Sequence, residues 1–424
     1  MINRKIINWL NIQKKTNKIQ VKIKSLSNLK KWNYNDKEIY HDKKNFFKIV
    51  GIKIKTNFFK NNWEQPIIIQ KDVGILGIIK HKTNNKYLLQ AKVEPGNVNK
   101  LQLSPTVQAT KSNYKGVHGG KKVPYLNYFL DKNRVNCSNQ SEQGFRFLYK
   151  YNTNILILLK KKITLKNGFF WFSSLEIETL IKKKNILNMD TLSVFSSFIK
   201  KTKVDNPINS ANKLNNWIKN NDKKYYLRSQ IVNFTKIKSW VFLKDRIIHK
   251  NNKHFSIIGV SAKTAHREIS KWDQPLLKSL HVGLSGFILK NFNNTNHYLC
   301  RYMIKPGLKK SVMSCTVNTH DYKNFNKDKN LSNDQRLLIT KFFNHKRLRR
   351  KNTLFNNIIS DEGGRFYHCE VRNIAVKLDE DLNINLPDTY IWVSQNQMIN
   401  NIKKKLIDIE GRLLFACLNI KNLA

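Results

Sequence analysis

The chain is short of acid, of arginine and of cysteine. Asp and Glu total 28 against 78 Lys and Arg in 424 residues, which leaves a formal net charge of +50. The five Cys (137, 300, 315, 369 and 417) are odd in number and form no CxxC, so a disulfide framework and a zinc ribbon are both excluded. A reducing compartment fits that cysteine usage. No apolar run nears the roughly 18 residues of a membrane span. Val73–Ile79 and Ile155–Leu159 are short and read as buried strands. No GxGxxG follows a strand, which argues against bound NAD. Hydrophobic residues make up 40% and aromatics 11%, enough to bury a core and to exclude wholesale disorder.

The positive charge points first to nucleic acid. Its composition points elsewhere. Only 14 of the 78 basic residues are Arg, the side chain whose planar fork suits phosphate and base edges. Lys, Asn and Ile are enriched together and share A/T-rich codons, so base drift accounts for the excess. Non-specific attraction to polyanions follows either way. The one Arg cluster, His345–Lys351, reads as a solvated loop. The alternative function is a basic nucleic-acid-associated protein.

An internal repeat organises the chain. Trp32, His41, Phe47 and Gly51 recur as Trp240, His249, Phe255 and Gly259. Trp63-Glu64-Gln65-Pro66 recurs as Trp272-Asp273-Gln274-Pro275, and Val73–Gly77 as Val282–Gly286. Glu94-Pro95-Gly96 answers Lys305-Pro306-Gly307, and Glu142–Phe147 answers Asp361–Phe366. Trp171-Phe172-Ser173 answers Trp392-Val393-Ser394. A period near 210 residues means two homologous domains, too long for a solenoid unit. The expected layout is a basic N-terminal packing helix over 1–24, a first module over 25–200, a linker over 201–230 and a second module over 231–424. Each module reads as α+β: strands over 45–55, 63–80, 86–93 and 154–165, then one long C-terminal helix over 173–187, repeated over 394–407.

Residues 92–129 (KVEPGNVNKLQLSPTVQATKSNYKGVHGGKKVPYLNYF) are dense in polar side chains interleaved with aliphatic ones. Gln102, Ser104, Thr106, Gln108 and Thr110 share one parity and would line one face of a strand. Gly116, Gly119 and Gly120 bracket His118, a pattern suited to close backbone approach to a phosphate or sugar.

This segment, with Trp63–Pro66, Val73–Gly77, Glu362–His368 (EGGRFYH) and Arg412-Leu413-Leu414, resembles the NDP-hexose 2,3-dehydratases of deoxysugar biosynthesis. The likeness runs in order over nearly the whole chain. It implies two tandem, duplicated Nudix-like modules, a cytoplasmic homodimer and no cofactor or metal. It also implies removal of the C2 hydroxyl from dTDP-4-keto-6-deoxy-D-glucose, giving a 3,4-diketo-2,6-dideoxy sugar nucleotide. Neither module carries the spaced glutamates of a Nudix box, so diphosphate hydrolysis is excluded.

The elimination needs a base for the C3 proton, an acid for the C2 hydroxyl and a donor at O4. By residue type, His118 or Glu94 is the base and Tyr125 or His118 the acid. Asn113 or Tyr114 meets the sugar or nucleobase, and Lys111 and Arg146 hold the diphosphate. Gln108, Thr110, Ser112, Gly119 and Gly120 complete the substrate-binding set. Module 2 has Lys305 in place of Glu94. Its Glu362, Gly364, Arg365 and Tyr367 either form a second nucleotide site or complete the first. A dehydratase that has lost activity and persists as a binding subunit is a further alternative.

Overall fold

The computed structural model describes residues 4–44, 46–116, 119–130, 136–328, 331–344, 348, 350–379 and 384–423. The fold is α+β, built on four sheets in two repeated pairs. In the first half, Gly74–His81 is buried at all but its last residue, as its near-continuous apolar sequence requires. It pairs in parallel with Tyr151–Leu159 and antiparallel with Lys86–Val93. Asn136–Ser141, Leu101–Ser104, Val107–Ala109 and Phe169–Ser173 complete a seven-stranded mixed sheet. The second half repeats this sheet around Gly283–Phe292, which is parallel to Glu370–Lys377. That strand turns into Thr295–Met303 through Asn293 and Asn294, both at positive φ (51° and 60°), as a tight hairpin demands.

The helices differ from the sequence reading. The helix expected over 173–187 spans only Ser174–Ile181 and that over 394–407 only Gln395–Lys403, and each is followed by a second helix not expected from sequence, Met189–Ser197 and Ile409–Asn419. The first of each pair starts on a reciprocal serine cap, Ser173 with Glu176 and Ser394 with Gln397. Each second helix has its own cap, Asn188 or Asp408. The first helices stop short of their expected ends, and Asn185 and Lys405 just beyond them take positive φ (54° and 63°). The expected strand over 63–80 is likewise two strands, Trp63–Ile69 and Gly74–His81, broken at Gln70–Val73. Tyr151–Leu159 replaces the strand pair expected over 154–165.

The halves interlock. Gln20–Lys24 pairs with Phe255–Lys263 in the second half, and Leu227–Val232 pairs with Lys48–Thr56 in the first. The N-terminal basic segment forms the helix Arg4–Thr16, which packs Trp9 on Phe170 and Phe172. Helices Met189–Ser197 and Ile409–Asn419 meet in one core that holds Leu192, Phe195, Leu414 and Phe415. Arg412 is fully buried there and donates to Ser193 Oγ (2.9 Å) and Ser141 O (2.6 Å). Leu192, its counterpart in the first half, is apolar and packs in the same core. Burial pulls that guanidinium down to about 10 against the attraction of Glu142, Asp408 and Glu410. Arg412→Met should lower stability by roughly 2–4 kcal/mol, read from the urea midpoint, since two charge-assisted hydrogen bonds disappear from the core.

Candidate functional site

Two tight turns bring distant segments together. Gly96 N–H donates to Gly363 O (2.8 Å), and His368 N–H donates to Gly96 O (2.9 Å). The same exchange runs the other way: Gly307 N–H donates to Gly144 O (2.7 Å) and Tyr149 N–H to Gly307 O (2.9 Å). Each half therefore carries its Pro-Gly turn against the other half's Gly-x-Arg-Phe or Gly-Phe-Arg-Phe segment. Two cavities result, and both halves line each of them.

The first cavity measures about 420 Å³. Lys92 and Glu94 enter it from the end of strand Lys86–Val93, and Glu142, Lys150 and Asp190 line it from the first half as well. The second half contributes Arg267, Glu268, Gln274, Glu362, Gly364 and Arg365. Glu94 is 4% exposed. Its Oε1 lies 3.0 Å from Arg267 Nη1 and 3.4 Å from Lys92 Nζ. Burial pushes this carboxyl up, but Lys92 and Arg267 outweigh burial and hold it below the usual carboxylate range.

Glu362 behaves oppositely. Burial and the charge on Glu94 push it up to about 7. The two carboxyls are neighbours: a Cβ on Gly364 would collide with Glu362 Oε1 and lie 3.7 Å from Glu94 Oε1. The absent side chain at Gly364 is what lets them approach. The surroundings thus favour the ionised form of Glu94 and the protonated form of Glu362. Asp190, 3% exposed, is raised well above the carboxylate range by burial, Glu362, Glu142 and Glu94. Burial brings Lys150 down to about 8. Arg365 stacks on Phe47 at 4.2 Å and donates from Nε to Gln70 Oε1 (3.1 Å). Exposed Lys30, Lys31, Lys43 and Lys271 rim the mouth beside Trp32 and Phe46.

The residues singled out from sequence divide clearly. Glu94, Gln108, Thr110 and Asn113 line this cavity, and Glu362, Gly364 and Arg365 join them from the second module. Of the two arrangements open to that motif, these positions match completion of the first site. Tyr125 lies elsewhere. It is 6% exposed, its hydroxyl donates to Thr164 O (2.8 Å) and accepts from Lys166 N–H (2.8 Å), and its ring packs on Phe169. Both hydrogen-bonding directions are taken, and it lines neither cavity.

Arg146 turns into the second cavity and pairs with Asp361. Lys111, Ser112 and Tyr114 form a short helix behind the wall, started by Thr110, which accepts from Asn113 N–H (3.4 Å). Tyr367 stacks on His368. Among the described residues, Gly119 and Gly120 do not line either cavity. His118 and Val117 lie outside the described residues, as do 345–347 and 349 of the Arg cluster.

Residue type and spacing do not single out Glu142, Lys150, Asp190, Arg267 or Glu268. The repeat carries a signal for Asp190, which answers Glu410, and for Glu142, which answers Asp361. Arg267 answers Phe58 and has no such signal.

The second cavity, about 320 Å³, inverts this chemistry. Lys305, in the place of Glu94, is wholly buried between Asp408 and Glu410, each at 2.7 Å. Asp361 pairs with Arg146. Gln143 stands in the place of Glu362. Of the carboxylates lining this cavity, Asp361 and Glu410 are paired with cations, and Glu64 accepts from Ser239 N–H (2.7 Å).

A family model described as NDP-hexose 2,3-dehydratase matches residues 3–198 and 211–418. Three relatives carry the name dTDP-4-dehydro-6-deoxy-alpha-D-glucopyranose 2,3-dehydratase. That of Saccharopolyspora spinosa is 29% identical over 92% of this chain and 86% of its own. That of Streptomyces violaceoruber is 31% identical over 90% and 88%, and that of Amycolatopsis orientalis 30% identical over 84% and 76%. A solved ADP compounds hydrolase covers 38% of this chain and 83% of its own at 10% identity, with a TM-score of 0.21, which bears no weight on the fold. No helix among the described residues is long and apolar enough to cross a membrane.

Proposed function

The chain belongs to the NDP-hexose 2,3-dehydratase family and is a sugar-nucleotide dehydratase of deoxysugar biosynthesis, and we propose that it works in the first cavity on dTDP-4-keto-6-deoxy-D-glucose. The observation that carries this assignment is the cavity shared by both halves, in which buried Glu94 sits between Lys92 and Arg267 and half-buried Glu362 lines the same space.

The substrate's C3 proton is acidified by the C4 ketone, and the C2 hydroxyl is beta to it. Ionised Glu94 takes the C3 proton. Protonated Glu362 gives its proton to the departing hydroxyl, which leaves as water. Arg365 and Lys92, lining the same space, supply positive charge for the oxyanion that develops at O4. The reaction leaves Glu94 protonated and Glu362 ionised. The deep end takes the sugar. The lysine rim suits the diphosphate, and Trp32 and Phe46 suit the nucleobase.

Each module is Nudix-like in this reading, a mixed sheet closed by helices, and the protein is a cytoplasmic homodimer. Its +50 charge adds non-specific affinity for polyanions.

Purified protein given dTDP-4-keto-6-deoxyglucose is expected to release water and yield the dideoxy diketo nucleotide. Turnover should fall as pH rises through about 7, because Glu362 then loses the proton it must give. On the acid side activity should persist down to below the usual carboxylate range, where Glu94 becomes protonated. Unchanged substrate with folded protein would remove the assignment. A profile that climbs through pH 7 would remove Glu362 as the acid.

A further inference from the structure

Eliminating water across C2 and C3 does not finish the reaction. The immediate product has a C2–C3 double bond with a hydroxyl on C3, an enol conjugated to the C4 ketone. Turning it into the diketone moves two more protons: one arrives at C2 and one leaves O3. The pair described above has been used by then. Glu94 is protonated and Glu362 is ionised.

A third carboxyl lines the same cavity. Asp190 is the second residue of the nine-residue helix Met189–Ser197. That helix start is fixed in place by its cap. Asn188 Oδ1 accepts from Thr191 N–H (2.9 Å), Asn188 Nδ2 donates to Gln108 Oε1 (3.1 Å), and Thr191 Oγ1 donates to Leu103 O (3.0 Å). Asp190 is thereby held against the strands that carry Gln108 and Leu103. In the second cavity its counterpart, Glu410, is bound to Lys305. Asp190 has no ion pair of that kind among the described residues. Burial and the charges of Glu362, Glu142 and Glu94 favour its protonated form.

We infer that Asp190 is the acid that protonates C2 and so completes the reaction as a stereospecific ketonisation within the cavity. This rests on the dehydratase reading of the site. The atoms balance as follows. Asp190 gives its proton to C2, and the C2–C3 π pair becomes the new C–H bond. Ionised Glu362 takes the O3 proton, and the freed pair forms the C3 carbonyl. Glu94 then releases its proton to bulk water and Asp190 regains one from it, so all three carboxyls stand as they began. Asp190 is a catalytic residue of the second half-reaction, with no part in water loss.

The test is turnover in D2O, following loss of the ketosugar, the conjugated enol's ultraviolet absorption and the position of deuterium at C2. The wild type should place deuterium in one of the two C2 positions without accumulating enol. Asp190→Asn should consume substrate within about tenfold of the wild-type rate. It should accumulate enol and label both C2 positions equally, because bulk water then delivers the proton from either face. Asp190→Glu keeps an acid and should restore labelling at one position. Asp190→Ser serves with the same readouts if the Asn variant does not fold.

Single-position labelling without enol in the Asn variant overturns the inference. So does loss of substrate consumption as deep as that of Glu362→Gln, which would place Asp190 in the first step. Scrambled label in both the Asn and Glu variants assigns the effect to packing and also overturns it. Failure of the wild type to consume the ketosugar instead strikes the dehydratase reading itself, and this inference with it.

Discussion

Glu362→Gln should lower kcat by about 10²–10⁴-fold while leaving KM for the sugar nucleotide nearly unchanged, the loss expected when a positioned general acid is removed. The amide fills the space of the carboxyl and retains hydrogen bonding, but it has no acidic proton to give to the leaving hydroxyl. Glu362 is neutral when it acts, so the substitution does not change the charge facing Glu94 in the active form. The fall in activity above pH 7 should therefore vanish along with most of the rate. Tyr125→Phe is the contrast. It removes hydrogen bonds to Thr164 and Lys166 in a packed region and should affect stability, with kcat per folded molecule held within a small factor. Equal losses in both variants, at equal folding, would contradict the assignment of the acid.

The second large effect is expected from Gly96→Ala. A Cβ at this position would overlap the carbonyl oxygen of Phe366 and lie 2.8 Å from Gly363 O. Both obstacles are backbone, so no side chain can swing aside. The two hydrogen bonds of the turn would have to stretch or break, and a loss of at least ~3 kcal/mol follows from such overpacking. Activity should fall as well, because the turn aligns Glu94 with Glu362 and Arg365. Gly307→Ala meets the same obstruction at Phe147 O. It should destabilise equally but impair turnover less per folded molecule, since its turn builds the second cavity. Gly116→Ala separates conformation from collision. Its φ is +67° with nothing within 4 Å of the added carbon, and it should cost only about 1–2 kcal/mol. Denaturant midpoints and specific activity of the three variants distinguish these cases.

Several parts of the site are legible in the amino-acid order. Glu94 ends an apolar strand and precedes Pro-Gly, a local pattern that forces the chain to turn just past a buried carboxyl. The shared parity of Gln102, Ser104, Thr106, Gln108 and Thr110 holds only in part: the strand breaks between Leu101–Ser104 and Val107–Ala109, and of the five only Gln108 and Thr110 line the cavity. Tyr125 misleads because phenolic chemistry is visible in sequence while its partners, the backbone at Thr164 and Lys166, are not. Arg146 suits a diphosphate by type, yet the interlocked turns carry it to the opposite cavity. The helix ends escape a periodicity reading because apolar residues continue past Ile181 and Lys403 to Leu187 and Ile407, while the backbone turns at Asn185 and Lys405.

Residue order is enough to establish a duplicated α+β protein with a polar segment in its first half and a charge reversal, Glu94 to Lys305, in its second. Repeats, periodicity and residue type are local properties, readable along the chain. The sharing of each cavity between the halves is a matter of folding in three dimensions, because strand exchange and the reciprocal Pro-Gly turns depend on backbone contacts between residues hundreds of positions apart. The protonation of the site belongs to the same class. A carboxyl's proton affinity is set by burial and by the charges packed around it, and Glu362 acquires its value only once Glu94 lies beside it.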